Sequence, residues 1–291
     1  MNKVYVSILS AIVIVFASGC SKGNDTADKP TLAVSIEPLR NITEQIAGDD
    51  FDVETVLDRG ANPETFDPSI NRRATVDKSL AFFTTGSFPF EEKLASSANK
   101  TVDVADISTG INRVYGTHSH SHGNVPECHH NRNDADPHTW TSAKNAMIIA
   151  ENIARKLSEL NPEHAEVYEH RKDSLVREIE SLDNRITAQL SDMPSRSFAI
   201  WHPSLSYFAR DYNLKQIAVG QENKEVSPRR LKEILDQSEA EGIRVFFFQK
   251  EFDSRQAMTI NDHIGSRMVV IDPLDYDWMK QLQLIADELS R

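Results

Sequence analysis

Short apolar runs alternate with amphipathic stretches along most of the chain. The apolar runs are typical of strands and lie at residues 32–36, 51–57, 80–84, 101–104, 198–201, 216–219, 245–248 and 268–271. Apolar positions with helical spacing fill most of the intervals between them. Strands that alternate with helices indicate parallel βαβ units, so the pattern predicts an α/β fold.

One predicted helix is much longer than the others. Residues 163–190 contain neither Gly nor Pro, and apolar residues recur there at helical spacing. The apolar seam is too sparse for a coiled coil, so we interpret the segment as a strut between two lobes. We therefore predict an α/β fold with two lobes, each a parallel sheet flanked by helices, joined by one long rigid helix. The predicted divisions are an N-terminal lobe over residues 31–160, a linking helix over 161–192 and a C-terminal lobe over 193–291.

The first residues predict export. Lys3 precedes an apolar run over residues 4–16, which is short for a membrane span but suits the core of a signal peptide. Small residues lead from this run into Cys20, an ending that resembles a bacterial lipobox, although Ala17 stands where Leu is usual. We predict a signal peptide over residues 1–19, a lipidated tether over 20–30 and an extracytoplasmic protein anchored to the bacterial envelope. An ordinary secretory signal is the alternative.

Charge and cysteine content argue against a nucleic-acid-binding protein and against a disulfide-stabilised one. The formal net charge of −12 argues against nucleic-acid binding, which needs basic patches. The chain has 2 cysteines. If Cys20 carries lipid, Cys128 has no partner, which excludes a disulfide framework.

Residues 114–135 break the alternation and are rich in His, Asn, Gly and Asp. We predict a long surface loop that binds metal weakly as an auxiliary site. Its candidate ligands are His118, His120, His122, Cys128, His129 and His130. A solvated polar loop without metal is the alternative.

Four further candidate ligands lie where predicted strands end or, for His138, after the His-rich loop. They are Glu64, His138, His202 and Asp272, two from each half of the chain. Ligand sites of open α/β sheets lie outside the carboxyl ends of strands, so these side chains are expected to meet in a cleft between the lobes. Two imidazoles and two carboxylates suit a divalent first-row ion, and closure by four ligands suits zinc. Both carboxylates together neutralise the dication, which lowers the cost of its burial.

The motifs around these residues resemble the zinc- and manganese-binding lipoproteins of ABC importers. The similar segments are DPHTW at His138, HPSLSYFARDYNL at His202, IDPL at Asp272 and the His-rich tract. The resemblance covers residues 31–291. It implies Zn²⁺ as the transported ligand, with Mn²⁺ possible, and permease and ATPase subunits as partners. It also implies membrane attachment only through the lipid, and we predict a monomer.

Glu64 departs from the family pattern. The family's first ligand is usually a His after Pro, whereas here Glu64 follows Pro in ANPETF. A carboxylate makes the site harder and moves its preference toward manganese or iron, so a manganese or iron importer subunit is the alternative.

Two other functions compete with metal import. A secreted zinc hydrolase needs an open coordination position and a general base, but neither an HExxH nor a GxSxG motif occurs. A metal-dependent adhesin is the second rival. We therefore predict a binding protein and not an enzyme.

Overall fold

The computed structural model describes residues 29–115, 135–193, 195–220, 226–252 and 254–291. Within these residues the strands form two four-stranded parallel sheets. The first contains β1 (Thr31–Val34), β2 (Asp52–Thr55), β3 (Ala81–Thr84) and β4 (Asp103–Asp106). The second contains β5 (Ser197–Ile200), β6 (Lys215–Ala218), β7 (Val245–Gln249) and β8 (Arg267–Ile271).

The helices follow the same division. The first half contains α1 (Glu37–Ala47), α2 (Ile70–Lys78), α3 (Pro89–Ser97) and α4 (Ala143–Leu160). The long α5 (Ala165–Gln189) follows. The second half contains α6 (Ser206–Asp211), α7 (Pro228–Ala240), α8 (Ser254–Ile264) and α9 (Trp278–Leu289). Among these described helices, none is long and apolar enough to cross a membrane.

The two sheets share one topology. Their strand orders are β2-β1-β3-β4 and β6-β5-β7-β8, so the strand order reverses beside β1 in one sheet and beside β5 in the other. Such a reversal leaves a crevice at the carboxyl ends of the strands, where side chains can approach a ligand. Each sheet therefore contributes a crevice at the edge where the predicted ligands follow their strands.

Helix α5 has 25 residues, which gives it a length of about 38 Å. It packs against α1 and α4 of the first half and against α9 of the second. Its buried face is formed by Tyr168, Leu175, Ile179, Leu182 and Ile186. The two parallel sheets and the long helix confirm the predicted fold class, while the residue limits of the lobes stay a prediction.

The hydrophobic core is continuous between the two halves. One cluster of buried side chains includes Phe82 of the first sheet and Phe198 and Phe247 of the second. A smaller cluster, with Phe246 and Phe248, covers the other face of the second sheet. This alternation along β7 explains its wholly apolar start, because both faces of the strand are buried. A shared core limits independent movement of the two halves.

Pairing fixes one strand boundary that the sequence placed differently. The apolar pattern predicts a strand over residues 101–104, whereas β4 spans Asp103–Asp106. Its first residue pairs with Ala81 and its last with Thr84 of β3. The neighbouring strand, and not local hydrophobicity, therefore sets the limits of β4.

Candidate metal centre

Three of the four predicted ligands converge. Oε1 of Glu64 lies 3.2 Å from Nε2 of His202 and 3.9 Å from Nε2 of His138. The centroids of the two imidazole rings are 5.2 Å apart. Within the described ranges, these three residues form the only group of His, Cys, Asp or Glu whose ligand atoms all lie within 4.8 Å of one another.

These separations match those around a small ion. Zinc binds imidazole nitrogen and carboxylate oxygen at about 2.0–2.2 Å, so ligand atoms on a tetrahedral zinc ion lie roughly 3.4 Å apart. The observed distances of 3.2 and 3.9 Å bracket this value. The ligand atoms of Glu64, His138 and His202 are therefore close enough together to hold one dication.

The turn before α4 fixes His138. Oδ1 of Asp136 accepts a hydrogen bond from the His138 backbone N–H at 2.9 Å and lies 2.9 Å from its ring Nδ1. Thr141 donates from Oγ1 to the His138 carbonyl at 2.8 Å. Ser142 then caps α4 by accepting from the Asn145 N–H. His138 is thus buried, with 4% of its surface exposed, and its ring is held in place.

Asp136 also sets the chemistry of the His138 ring. Burial lowers the pKa of His138, but the negative charges of Asp136 and Glu64 outweigh this effect and the pKa is raised. A carboxylate that accepts the proton of Nδ1 leaves the lone pair of Nε2 for a metal. Nε2 is the atom that faces Glu64. Asp136 therefore orients His138 and makes it a more basic ligand.

A buried glutamine fixes His202, which follows β5. Oε1 of Gln249 accepts from the His202 backbone N–H at 3.2 Å, and its Nε2 donates to the His202 carbonyl at 2.6 Å. The same Nε2 donates to Oγ of Ser204 at 2.7 Å. Gln249 has no exposed surface, so these bonds face no competition from water. The end of β7 thereby holds the backbone that presents His202.

Glu64 projects from the loop between β2 and α2. Its backbone N–H donates to Oδ1 of Asn62 at 2.8 Å, which tightens the turn before it. Phe66, two residues later, meets the ring of Phe90 edge to face at 5.4 Å. A turn on one side and an aromatic anchor on the other hold the Glu64 carboxylate over the two imidazoles. Its side chain keeps 16% of its surface exposed.

Aromatic rings line the site. His138 lies 5.4 Å from Trp140 and 6.2 Å from Phe88, measured between ring centroids. Phe252 stacks on His202 at 5.3 Å with an interplanar angle of 27°. These rings exclude water from the imidazoles, and a lower local dielectric strengthens the attraction between Glu64 and a cation.

Asp272, the fourth predicted ligand, lies outside this three-residue group. It directly follows β8, and its Oδ2 forms an ion pair with the Nζ of Lys250. Its Oδ1 accepts from the Leu274 backbone N–H at 3.1 Å. Ligation by Asp272 stays a prediction.

Glu251 is an acidic neighbour of the site that the sequence analysis did not select. Burial raises its pKa to about 7, and the charge of Asp272 adds to this effect. Its own charge contributes to the raised pKa of His138. Glu251 follows the end of β7 by two residues, so the rule that selected His202 and Asp272 also applies to it. Asp136 could also have been found from the sequence, because a carboxylate beside a metal-binding His commonly orients that His.

Several predicted residues lie outside the described ranges. They are Cys20 and the loop residues His118, His120, His122, Cys128, His129 and His130. Lipidation of Cys20 and metal binding by the loop stay predictions.

Known proteins resemble this chain over most of its length. The zinc-binding lipoprotein AdcA of Streptococcus pneumoniae (strain ATCC BAA-255 / R6) is 26% identical over 292 residues, which cover 94% of this chain and 56% of that relative. The chain thus spans about half the length of AdcA. A metal ABC transporter substrate-binding lipoprotein of Lactococcus lactis subsp. lactis (strain IL1403) is 25% identical, with coverage of 91% and 86%.

The fold agrees with a solved structure. A crystal structure of ZnuA superposes with a TM-score of 0.80 at 28% sequence identity, covering 90% of this chain and 98% of that one. The model of the family described as zinc-uptake complex component A, periplasmic, matches residues 32–289. The resemblance expected from the ligand motifs is thereby confirmed, and the chain belongs to the ZnuA family.

Proposed function

We propose that this chain is the extracytoplasmic subunit of an ABC importer and captures Zn²⁺ between its two halves. The convergence of Glu64, His138 and His202 supports this most directly, because these residues lie far apart in sequence and share no structural need to meet. Imidazole nitrogen and carboxylate oxygen are ligand atoms that zinc takes in proteins. The names of the relatives agree with this assignment.

The ligand chemistry favours zinc over manganese. Two imidazoles suit zinc, and mixed nitrogen and oxygen sites bind Zn²⁺ more tightly than Mn²⁺ in the ordinary order of divalent metals. Glu64 adds a hard oxygen ligand that manganese and iron also accept. We therefore propose zinc as the physiological ion and treat manganese as the competitor that an experiment must exclude.

Capture is followed by delivery to a membrane permease. We propose that Cys20 carries the lipid anchor and that the protein acts as a monomer, with permease and ATPase subunits as its partners. The shared core restricts rotation of one half against the other, so release requires local movement of the loops that carry the ligands. Those loops surround the opening of the site, and we propose this surface as the contact with the permease.

The residues on either side of the predicted His-rich loop lie beside the site. Tyr115 and Ala135 form an antiparallel bridge at the base of the loop, and Asp136 follows directly. A metal ion held in the loop is thereby tethered close to His138, which raises its effective concentration there. We propose that the loop collects zinc weakly and passes it to the buried site.

A competitive titration tests the proposal. Metal-free protein is titrated with Zn²⁺, and separately with Mn²⁺, against a chromophoric chelator. We expect one tight zinc site per chain that survives deletion of residues 117–131, and weaker binding of manganese. His138→Ala combined with His202→Ala should abolish the tight site and leave weak binding by the loop.

His170→Ala is the matched control, because His170 is exposed on α5, away from the site. It should bind zinc as the wild type does. Loss of tight binding in the loop deletion would place the ion in the loop and contradict a buried site. Tighter binding of manganese than of zinc would support the alternative importer.

A further inference from the structure

Tyr207 connects the second half of the chain with the residues beside His138. It lies in α6, which follows His202 along the chain, and its side chain has no exposed surface. Its hydroxyl donates to the backbone carbonyl of Asp136 at 2.7 Å. The same oxygen accepts from the Val114 backbone N–H at 3.4 Å. One hydroxyl therefore contacts the chain both before and after the predicted His-rich loop.

The two segments that Tyr207 contacts also bond to each other. The Asp136 backbone N–H donates to the Val114 carbonyl at 2.8 Å, and the next residues form the antiparallel bridge at the base of the loop. The Asp136 carboxylate contacts both the backbone and the ring of His138. A displacement of this base would therefore displace one of the proposed zinc ligands.

Arg210 fixes the ring of Tyr207. Its guanidinium lies over the ring, with Cζ 5.1 Å from the ring centroid, a distance at which a cation attracts an aromatic face. The same guanidinium donates to the Asn112 carbonyl at 2.7 Å and to Oδ1 of Asn145 at 3.1 Å. Tyr207 and Arg210 thus bond to the chain on both sides of His138.

The other end of this connection is the second imidazole. Gln249 bonds to the backbone of His202 and to the turn that leads into α6. Contacts therefore lead from His202 through α6 to Tyr207, and from Tyr207 through Asp136 to His138. The two imidazole centroids are 5.2 Å apart, and distances from a metal to its ligands tolerate only about 0.2 Å of variation. A connection that sets this separation acts directly on zinc affinity.

We infer that Tyr207 is a positioning residue for metal binding: its hydroxyl holds Asp136 and thereby sets the place of His138 relative to His202. Tyr207 acts through Asp136 and is not itself a ligand. A residue of the second half thus controls a ligand that the first half supplies. This inference rests on the proposed function, because it concerns binding of the same ion at the same site.

Tyr207→Phe tests the inference, and Tyr212→Phe is the matched control. Each substitution removes one hydroxyl from a buried ring in or directly after α6. Tyr212 is 5% exposed, and its hydroxyl donates to Oδ1 of Asp183 on α5 at 2.8 Å. Zn²⁺ is titrated against a chromophoric chelator. The visible absorption of the protein loaded with Co²⁺ in place of zinc reports the geometry of the ligands.

Tyr207→Phe should weaken zinc binding by about 10-fold, at the lower end of the range seen when outer-shell partners of a ligand are lost. It should also change the Co²⁺ spectrum, because His138 is displaced. Tyr212→Phe should lower the melting temperature of the metal-free protein by a similar amount and keep the affinity and the spectrum of the wild type. The spectrum of folded, loaded protein thus separates positioning from a merely structural role.

A double-mutant cycle tests the route through Asp136. Asp136→Ala removes the carboxylate that contacts His138, so Tyr207→Phe added to this variant should weaken zinc binding by less than about 2-fold more. The loss caused by Tyr207→Phe should persist when residues 117–131 are deleted, because the hydroxyl acts at the base of the loop and not on the ligands within it.

Four results would overturn the inference. Tyr207→Phe keeps wild-type affinity and spectrum; Tyr212→Phe loses zinc to the same extent; the losses in the cycle are additive; or the loss disappears in the loop deletion. In each case a tight zinc site in the wild type that depends on His202 still supports the proposed function. Wild-type protein without a tight zinc site would instead refute the proposed function itself.

Discussion

Asp136 holds His138 by backbone and ring together: its Oδ1 lies 2.9 Å from the His138 backbone nitrogen and 2.9 Å from Nδ1. Asp136 has no exposed surface. A single carboxylate therefore sets the position, the orientation and the basicity of one proposed zinc ligand.

Asp136→Asn should weaken zinc binding at pH 8 by about 10- to 100-fold, as expected when the partner of a metal-binding His is changed. Asn still accepts from the His138 backbone N–H, but it carries no charge and does not raise the basicity of the ring. Competitive titration measures the change. The melting temperature of metal-free protein is the control, and affinity equal to that of the wild type would contradict the role of Asp136.

Asp136→Asn should also shift the pH dependence of zinc binding. Protonated His138 does not bind a metal, and its pKa in the metal-free protein is raised above 6.5 by its acidic neighbours despite burial. Wild-type affinity should therefore fall as the pH drops through this raised value. Asp136→Asn removes the largest raising contribution, so its acid limb should lie at lower pH. Titrations between pH 5 and 8 measure both limbs, and identical limbs would argue against His138 as a ligand.

Gln249→Leu should reduce both stability and zinc affinity. The substitution leaves the buried backbone N–H of His202 without a partner and its carbonyl with only the Ser204 N–H, at a cost of about 2 kcal/mol in unfolding free energy. Urea unfolding with chelator present measures this cost, and zinc titration measures the affinity.

Gln216→Leu is the matched control for Gln249→Leu. Gln216 accepts from the Leu205 N–H at 2.8 Å and donates to Ser206 at 3.0 Å, at the start of α6. It should lower stability and leave zinc affinity unchanged. Equal loss of affinity in both variants would mean that Gln249 acts through general stability and not through His202.

Much of the site could be predicted because ligands follow strands at the edge where parallel sheets open. This rule selected Glu64, His138 and His202 before any contact was known. The rule also selected Asp272, whose ion pair with Lys250 depends on the register of β7 and β8. Register is a tertiary property, and a uniformly apolar strand leaves it open.

Trp140→Phe should loosen the contact between the halves beside the site. Nε1 of Trp140 donates to the carbonyl of Pro273 at 2.7 Å, and the ring packs against His138. Loss of this bond and of ring volume in a site with 1% exposure should cost about 2–4 kcal/mol in unfolding free energy.

Tyr276→Phe is the control for Trp140→Phe, because Tyr276 also forms a hydrogen bond between the two halves. Its hydroxyl donates to Glu44 at 2.6 Å, but 36% of the residue is exposed. Removal of an exposed hydrogen bond should cost about 0.5 kcal/mol or less. Urea unfolding compares the two variants. Similar losses of unfolding free energy would show that burial does not make the Trp140 hydrogen bond more stabilising than that of Tyr276.

Asp50→Asn should remove a pH-dependent contribution to stability at the start of α5. Oδ2 of Asp50 accepts from the hydroxyl of buried Tyr168 at 2.7 Å and lies 2.6 Å from Nδ1 of His164. Burial raises the pKa of Asp50, but these two hydrogen bonds outweigh it and the pKa is lowered. Ionised Asp50 therefore stabilises the fold at pH values above its unfolded pKa, which is near 3.9. This stabilisation is lost as the pH falls through the lower pKa of the folded state. The variant should therefore be about 2 kcal/mol less stable at pH 7 and equal to the wild type near pH 2. Urea unfolding at both pH values tests this, and a deficit that persists in acid would assign the loss to packing and not to charge.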